Sequence, residues 1–253
     1  MLETRDLTIR FGGHVAVDHV SCAFAPGSLT AIVGPNGAGK TTYFNLISGQ
    51  LPASEGEVWL DGMNITALPA PLRTRRGLGR AFQLTQLFPS LSVQENVRLA
   101  VQARAGGGLN AWAIWSDRQD WLEEARSILQ TVRLLEKRDM PAASLPHGDQ
   151  RKLEVAVLMA LDPKVYMFDE PTAGMSVDEV PVILDLIRAL KARRDRCILL
   201  VEHKMDVVRE LADRIIVLHN GALVADGEPA TVIASDVVQQ AYLGTAPVSA
   251  EAA

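Results

Sequence analysis

The sequence predicts an α/β fold with an antiparallel β region at its front and a helical insertion in its middle. Three observations predict it. From Lys164 onward, short apolar runs alternate with amphipathic helical patterns, which implies a parallel sheet covered on both faces. Before residue 62, apolar and polar residues alternate, as in half-buried strands. Between these regions, over about residues 91–160, the apolar spacing is helical.

In chain order, Leu7, Ile9 and Phe11 alternate with polar residues, as do Val20, Cys22 and Phe24, and Pro26-Gly27 marks a turn. Residues 29–33 form an apolar run ending at Gly34; a helical pattern follows from Lys40 to Gly49; Val58, Leu60 and the turn Asp61-Gly62 predict a further strand. Beyond the helical middle come a strand at 165–168, a helix at 178–191, a strand at 198–201, a helix at 205–211 and a strand at 215–218. Asn220-Gly221 predicts a tight hairpin leading to Leu223. Residues 1–244 are expected to form one domain with a helical subdomain at about 91–160, and the small-residue tail 245–253 is expected to be disordered.

Composition excludes several classes. At 253 residues and 48% hydrophobic, the chain is long and apolar enough for a sizeable core. A net charge of −5 gives no general footprint for nucleic acid. No run approaches the 18 or so apolar residues of a membrane-spanning helix, and the first residues lack the apolar stretch of a secretion signal. Cys22 and Cys197 are far apart and form no CxxC, so neither a disulfide framework nor a zinc site is expected, and a reducing cytoplasm fits.

The segment Gly34-Pro35-Asn36-Gly37-Ala38-Gly39-Lys40-Thr41-Thr42 matches GxxxxGK[ST] between a predicted strand and a predicted helix. Its glycines let successive N–H groups turn inward toward phosphate oxygens, and the helix adds its positive N-terminal end. Lys40 is expected to reach the β and γ phosphates, and the Thr41 hydroxyl to ligate Mg²⁺. Kinases, GTPases and ATPases all share this loop. The discriminating run is residues 165–170, which reads as a buried strand ending in the carboxylates Asp169 and Glu170. Ligands of open α/β sheets gather at strand carboxyl ends. Asp169 there is expected to hold the Mg²⁺ shell, and Glu170 to orient and polarise the water that attacks the γ phosphate. Taken alone, the pair reads equally well as an acidic cap before Pro171.

With these motifs in place, nearly the whole chain resembles an ATP-binding cassette (ABC) protein, the nucleotide-binding subunit of a transporter. That resemblance implies the P-loop NTPase ABC ATPase fold and the cofactors ATP and Mg²⁺. It implies a metal- and water-touching role for Gln83 in Arg80-Ala81-Phe82-Gln83, and a γ-phosphate contact for His203, just after the strand at 198–201. It also implies that Phe11 stacks on adenine, although the end of an alternating strand equally suits the core. The family's signature, Leu-Ser-Gly-Gly-Gln, corresponds to Leu145-Pro146-His147-Gly148-Asp149. Leu145 and Gly148 match, whereas Pro146, His147 and Asp149 depart. In the family this segment binds the γ phosphate held by another subunit, which implies a head-to-tail dimer, either a homodimer or a paired paralogue. Pro146 removes a hydroxyl and an N–H from that contact, so either a weaker ATP-driven dimer or compensation by His147 and the Gly148 N–H is expected. Ser176 stands where the family usually carries Asp or Asn.

The wording of Phe82-Gln83 with residues 87–97, of Glu170-Pro171-Thr172-Ala173-Gly174 and of Ala241-Tyr242-Leu243-Gly244 is similar to that of branched-chain amino acid importer ATPases, with urea and amide importers close behind. The resemblance then implies integral membrane permeases as partners, a periplasmic binding protein indirectly, no nucleic acid, and a place on the inner face of the cell membrane. Lipid or lipopolysaccharide exporter ATPases and soluble ABC ATPases share the core motifs and remain alternatives. Trp112, Trp115 and Trp121 concentrate in the helical insertion, either filling its core or meeting the membrane subunits. Of the basic runs at 73–76 and 191–194, the second ends a predicted helix and reads as a dipole-complementing cap.

Overall fold

The alternating runs at the front of the chain pair with each other, because each has one apolar face to bury. A computed structural model describes residues 1–81, 87–106, 119–236 and 238–239. The described chain divides into two compact units, Met1–Ala70 with Cys197–Ala253, and Pro71–Arg196.

In the first unit, β1 (Leu2–Phe11), β2 (His14–Phe24), β4 (Glu55–Leu60) and β5 (Met63–Asn64) form an antiparallel sheet ordered β2-β1-β4-β5. Asp61 and Gly62 both have positive φ, the conformation a two-residue hairpin turn requires. The apolar run at 29–33 becomes β3 (Leu29–Val33), with all five residues buried. It pairs in parallel with β8 (Cys197–Val201) on one side and β9 (Arg214–His219) on the other. A second hairpin turn, Asn220-Gly221, joins β9 to β10 (Ala222–Gly227). Burial on both faces explains why β3, β8 and β9 read as continuous apolar runs. Helix α1 (Lys40–Ser48) follows β3 and ends at Gly49 in the left-handed conformation that closes many helices. Its Tyr43 is fully buried and shares a 2.7 Å hydrogen bond with Thr4 of β1, tying helix to antiparallel sheet. Helices α7 (Met205–Leu211) and α8 (Pro229–Ile233) add Val208 and Val232 to a cluster with Ala31, Val33, Ile215 and Val217.

In the second unit, β6 (Leu78–Ala81) pairs in parallel with β7 (Val165–Asp169), and α2 (Ala70–Arg75) precedes β6. The helical middle consists of α3 (Val93–Arg104), α4 (Gln119–Thr131) and α5 (His147–Leu161), which pack on one another. Ser92 caps α3 by accepting from the Glu95 N–H at 3.2 Å. Helix α6 (Val180–Ala192) follows β7. At the end of α5, Asp162 adopts a left-handed conformation and accepts hydrogen bonds from Arg193 and Arg196 at 3.0 and 2.9 Å. Arg193 of the second basic run is therefore held in an ion pair, and Arg73 of the first run is buried.

Helix α5 passes so close to β6 that a Cβ on Gly79 would lie 2.5 Å from Leu158 Cδ1 and 2.6 Å from Pro163 Cγ. The proline ring has little room to yield. Gly79→Ala is expected to cost about 1–3 kcal/mol by overpacking, measured as a lower urea midpoint; an unchanged midpoint would show that α5 can retreat.

Candidate functional site

The phosphate loop takes its shape from backbone packing within the first unit. Gly34 has φ 150°, and a Cβ there would lie 2.1 Å from the Leu218 carbonyl oxygen. Gly39 has φ 97°, and its Cβ would lie 2.4 Å from the Ala16 carbonyl oxygen. These two positions admit only glycine, because the obstructing atoms are backbone. The hairpin turn after β9 does more than reverse the chain: Gly221 N–H donates to Ala38 O at 3.1 Å, and Gly221 O accepts from Asp18 N–H at 2.9 Å. The loop is thus tied through one residue to β2.

Lys40 folds back over this loop. Its Nζ donates to Gly34 O at 2.7 Å and Pro35 O at 2.8 Å, and the residue is 5% exposed. The ammonium is held over a curved run of backbone whose tip, Asn36 and Gly37, faces solvent. Thr41 and Thr42 are half-buried in the first turn of α1, at its positive end. Since Ile32 pairs with Val201, β3 and β8 leave the sheet side by side, one into Gly34 and the other into Glu202 and His203. His203 is exposed. Its backbone is fixed by Glu202, whose buried carboxylate accepts from the His203 and Lys204 N–H groups at 2.8 and 3.2 Å. Phe11 is 51% exposed at the tip of the β1–β2 hairpin, so it is not a core residue.

The remaining described candidates lie in the second unit. Asp169 ends β7, 2% exposed, and accepts a 2.7 Å hydrogen bond from Arg80 Nη2. Burial pulls the Arg80 guanidinium below its ordinary value, and the Asp169 charge pulls it back up. Glu170, next in the chain, is half-buried and has φ 50°. A non-glycine residue in that region costs about 1–3 kcal/mol and is concentrated at functional sites. Gln83 lies outside the described residues, as do Trp112 and Trp115; Trp121 is half-buried on α4.

The signature segment begins α5. Leu145 is buried, Pro146 is the N-cap with φ −55° and ψ 155°, and His147 is exposed. Proline fits because the residue at the cap has no intrahelical bond for its N–H, and its carbonyl accepts from Gln150 N–H at 3.0 Å. Asp149 is clamped by the Nζ atoms of Lys137 and Lys152, the latter at 2.8 Å. Burial pushes its carboxyl up, but the two lysines outweigh burial and hold it below the usual carboxylate range. Glu179, which the motif analysis passed over, packs on the same helix start: a Cβ on Gly148 would lie 1.9 Å from its Oε1. The Ser176 N–H and hydroxyl donate to Glu179 Oε2 at 3.0 and 2.9 Å and hold that carboxyl below its ordinary value. The spacing Ser-x-x-Glu was the available signal for this contact.

Taken singly, the Thr41 hydroxyl and the buried Asp169 carboxylate are hard oxygens, the kind of donor that Mg²⁺ takes. Among the described residues, no group of three or more His, Cys, Asp or Glu side chains is arranged to hold a metal ion by itself. Mg²⁺ is commonly bound in this way, by one or two protein groups together with substrate phosphates.

The ABC transporter family model matches residues 17–173. The chain is 35% identical over 251 residues to the high-affinity branched-chain amino acid transport ATP-binding protein LivG of Escherichia coli K12, covering 97% of this chain and 98% of the relative. It is 36% identical over 251 residues to BraF of Pseudomonas aeruginosa, a high-affinity branched-chain amino acid transport ATP-binding protein, with the same coverage. Among solved structures, the ADP conformation of an ATP-binding cassette of an ABC transporter superposes with a TM-score of 0.82 at 30% identity, covering 97% of this chain and 99% of the other.

The Asp149 clamp predicts a pH effect. The folded carboxyl lies below its unfolded value of about 3.9, so its contribution is complete above about pH 4 and is lost as pH falls through the folded value. Asp149→Asn is expected to flatten the fall of melting temperature between about pH 4 and pH 2. An unchanged slope would rule the clamp out as an acid-labile contact.

Proposed function

The chain belongs to the ABC transporter family, and on that premise we propose that it is the ATP-hydrolysing subunit of an importer for branched-chain amino acids or related small amides. One observation carries the reading: a glycine-shaped phosphate loop with a poised lysine sits in a chain that matches LivG-type ATP-binding proteins along almost its full length. No described helix is long and apolar enough to cross a membrane; in this reading, which rests on the likeness to transport ATP-binding proteins, the membrane path belongs to permease subunits. The chain works as a peripheral component on the inner membrane face, and a periplasmic binding protein delivers the cargo. Residues 1–244 act as one cassette, with the helical region at about 91–160 as the subdomain that meets the permeases.

In the proposed mechanism, the N–H groups of residues 34–42 cradle the phosphates and the Lys40 ammonium exchanges its two carbonyl partners for phosphate oxygens. Thr41 and Asp169, with Gln83, hold Mg²⁺, which when bound neutralises charge on the β and γ phosphates. Glu170 orients and polarises the attacking water, and His203 contacts the γ phosphate. Phe11, exposed at a hairpin tip, offers its ring to adenine. Leu145, His147 and Gly148 of one copy face the nucleotide on a second copy, so that closure of a head-to-tail pair couples ATP binding to permease movement.

Glu170→Gln is expected to lower ATP hydrolysis by about 10²–10⁴-fold while leaving nucleotide affinity near its original value. Phosphate release and fluorescence titration measure the two quantities, and an unchanged rate would reassign the base. A tagged chain recovered from native membranes is expected to bring multi-span permeases with it; recovery without any would overturn the importer reading.

A further inference from the structure

Arg80 and Asp169 form a buried ion pair across the neighbouring parallel strands β6 and β7. Arg80 pairs in register with Met167, and Asp169 lies two residues beyond Met167, on the same face of β7. The guanidinium therefore runs along the strand surface to the carboxylate, meeting Oδ2 at 2.7 Å with side chains only 5% and 0% exposed. Stability does not account for an arginine at this position. Taking both charges out of water costs about as much as their attraction returns, and apolar replacements of buried ion pairs are often neutral or stabilising. A valine or isoleucine would suit the strand better. What arginine brings is a permanent cation, since a guanidinium stays protonated in proteins.

We propose that Arg80 is a positioning residue for the divalent cation: its guanidinium holds the Asp169 carboxylate and competes with the metal for it. Arg80 thereby sets how much Mg²⁺ nucleotide binding requires. This rests on the reading of Asp169 as part of the metal shell. In the nucleotide-free chain the guanidinium supplies the charge that a buried carboxylate must have opposite it. A metal arriving with nucleotide meets a carboxylate whose field is already partly neutralised, so it binds less tightly than to a bare Asp169.

The test uses the full chain carrying Glu170→Gln, so that nucleotide is not consumed. A fluorescent ATP analogue at fixed concentration is titrated with Mg²⁺ against Arg80, Arg80→Lys and Arg80→Gln. The Mg²⁺ midpoint is expected to fall about tenfold in the Gln protein. In the Lys protein, whose shorter single ammonium holds the carboxylate less well, it is expected to fall about threefold. The rise in melting temperature when Mg²⁺ is added to the ATP-loaded protein follows the same order. A merely structural role would lower the melting temperatures and leave the Mg²⁺ midpoint in place. A midpoint unmoved or raised in either folded variant overturns the proposal, and the Lys protein decides alone should the Gln protein not fold. Nucleotide binding by the parent that is indifferent to Mg²⁺ would instead overturn the metal reading of Asp169, and the Arg80 role with it.

Discussion

The first unit depends on one steric constraint, the approach of two carbonyl oxygens to the backbone of the phosphate loop. Leu218 O and Ala16 O occupy the places where side chains on Gly34 and Gly39 would lie. Because backbone cannot step aside as a side chain can, the loop must curl at these points. The Lys40 ammonium, lying on Gly34 O and Pro35 O, then satisfies carbonyls that the curl leaves pointing the same way. Strand β3, helix α1, the β9–β10 turn and β2 all meet at this loop, so an error in any of them is felt there.

In the second unit, charge takes the place of steric constraint. Two buried carboxylates sit at the ends of elements, Asp169 at the end of β7 and Asp149 in the first turn of α5; the first is matched by Arg80 of β6, the second by Lys137 and by Lys152 of its own helix. An ionised carboxylate is tolerated in such surroundings only when paired and hydrogen-bonded. Glu170 differs: it is half-buried and its backbone is held left-handed, so the strand ends abruptly and the following turn, with Ala173 N–H donating to Glu170 O at 3.0 Å, begins at once. The change of direction gives two adjacent carboxylates different surroundings, one buried on an arginine and one half-buried at the start of a turn.

Much of this was legible in the residues. The strands and helices with strong periodicity lie where the pattern puts them, and the segment 34–42 joins strand to helix as its motif requires. Strand β6 is not legible, because Leu-Gly-Arg-Ala shows neither alternation nor an apolar run, and its arginine is buried against a carboxylate of β7. Asn220-Gly221 is the hairpin turn its local signal implies, but its hydrogen bonds to Ala38 and Asp18 depend on tertiary placement that no local pattern encodes. Glu202 was likewise visible only as a neighbour of His203, since capping of the next two N–H groups depends on where β8 stops. The role of Phe11 stood between core and ligand, and exposure excludes the core.

The bond between Gly221 and Ala38 carries a consequence for the order in which the protein is made. The phosphate loop is synthesised before the turn that braces it and before the strands β8 and β9 that flank β3. A partly synthesised chain on the ribosome contains the whole motif and yet lacks the walls that give it shape. Nucleotide binding therefore waits until residues through the β9–β10 turn have been made, and a product terminated before Gly221 lacks the shaped site even though every residue of the motif is present.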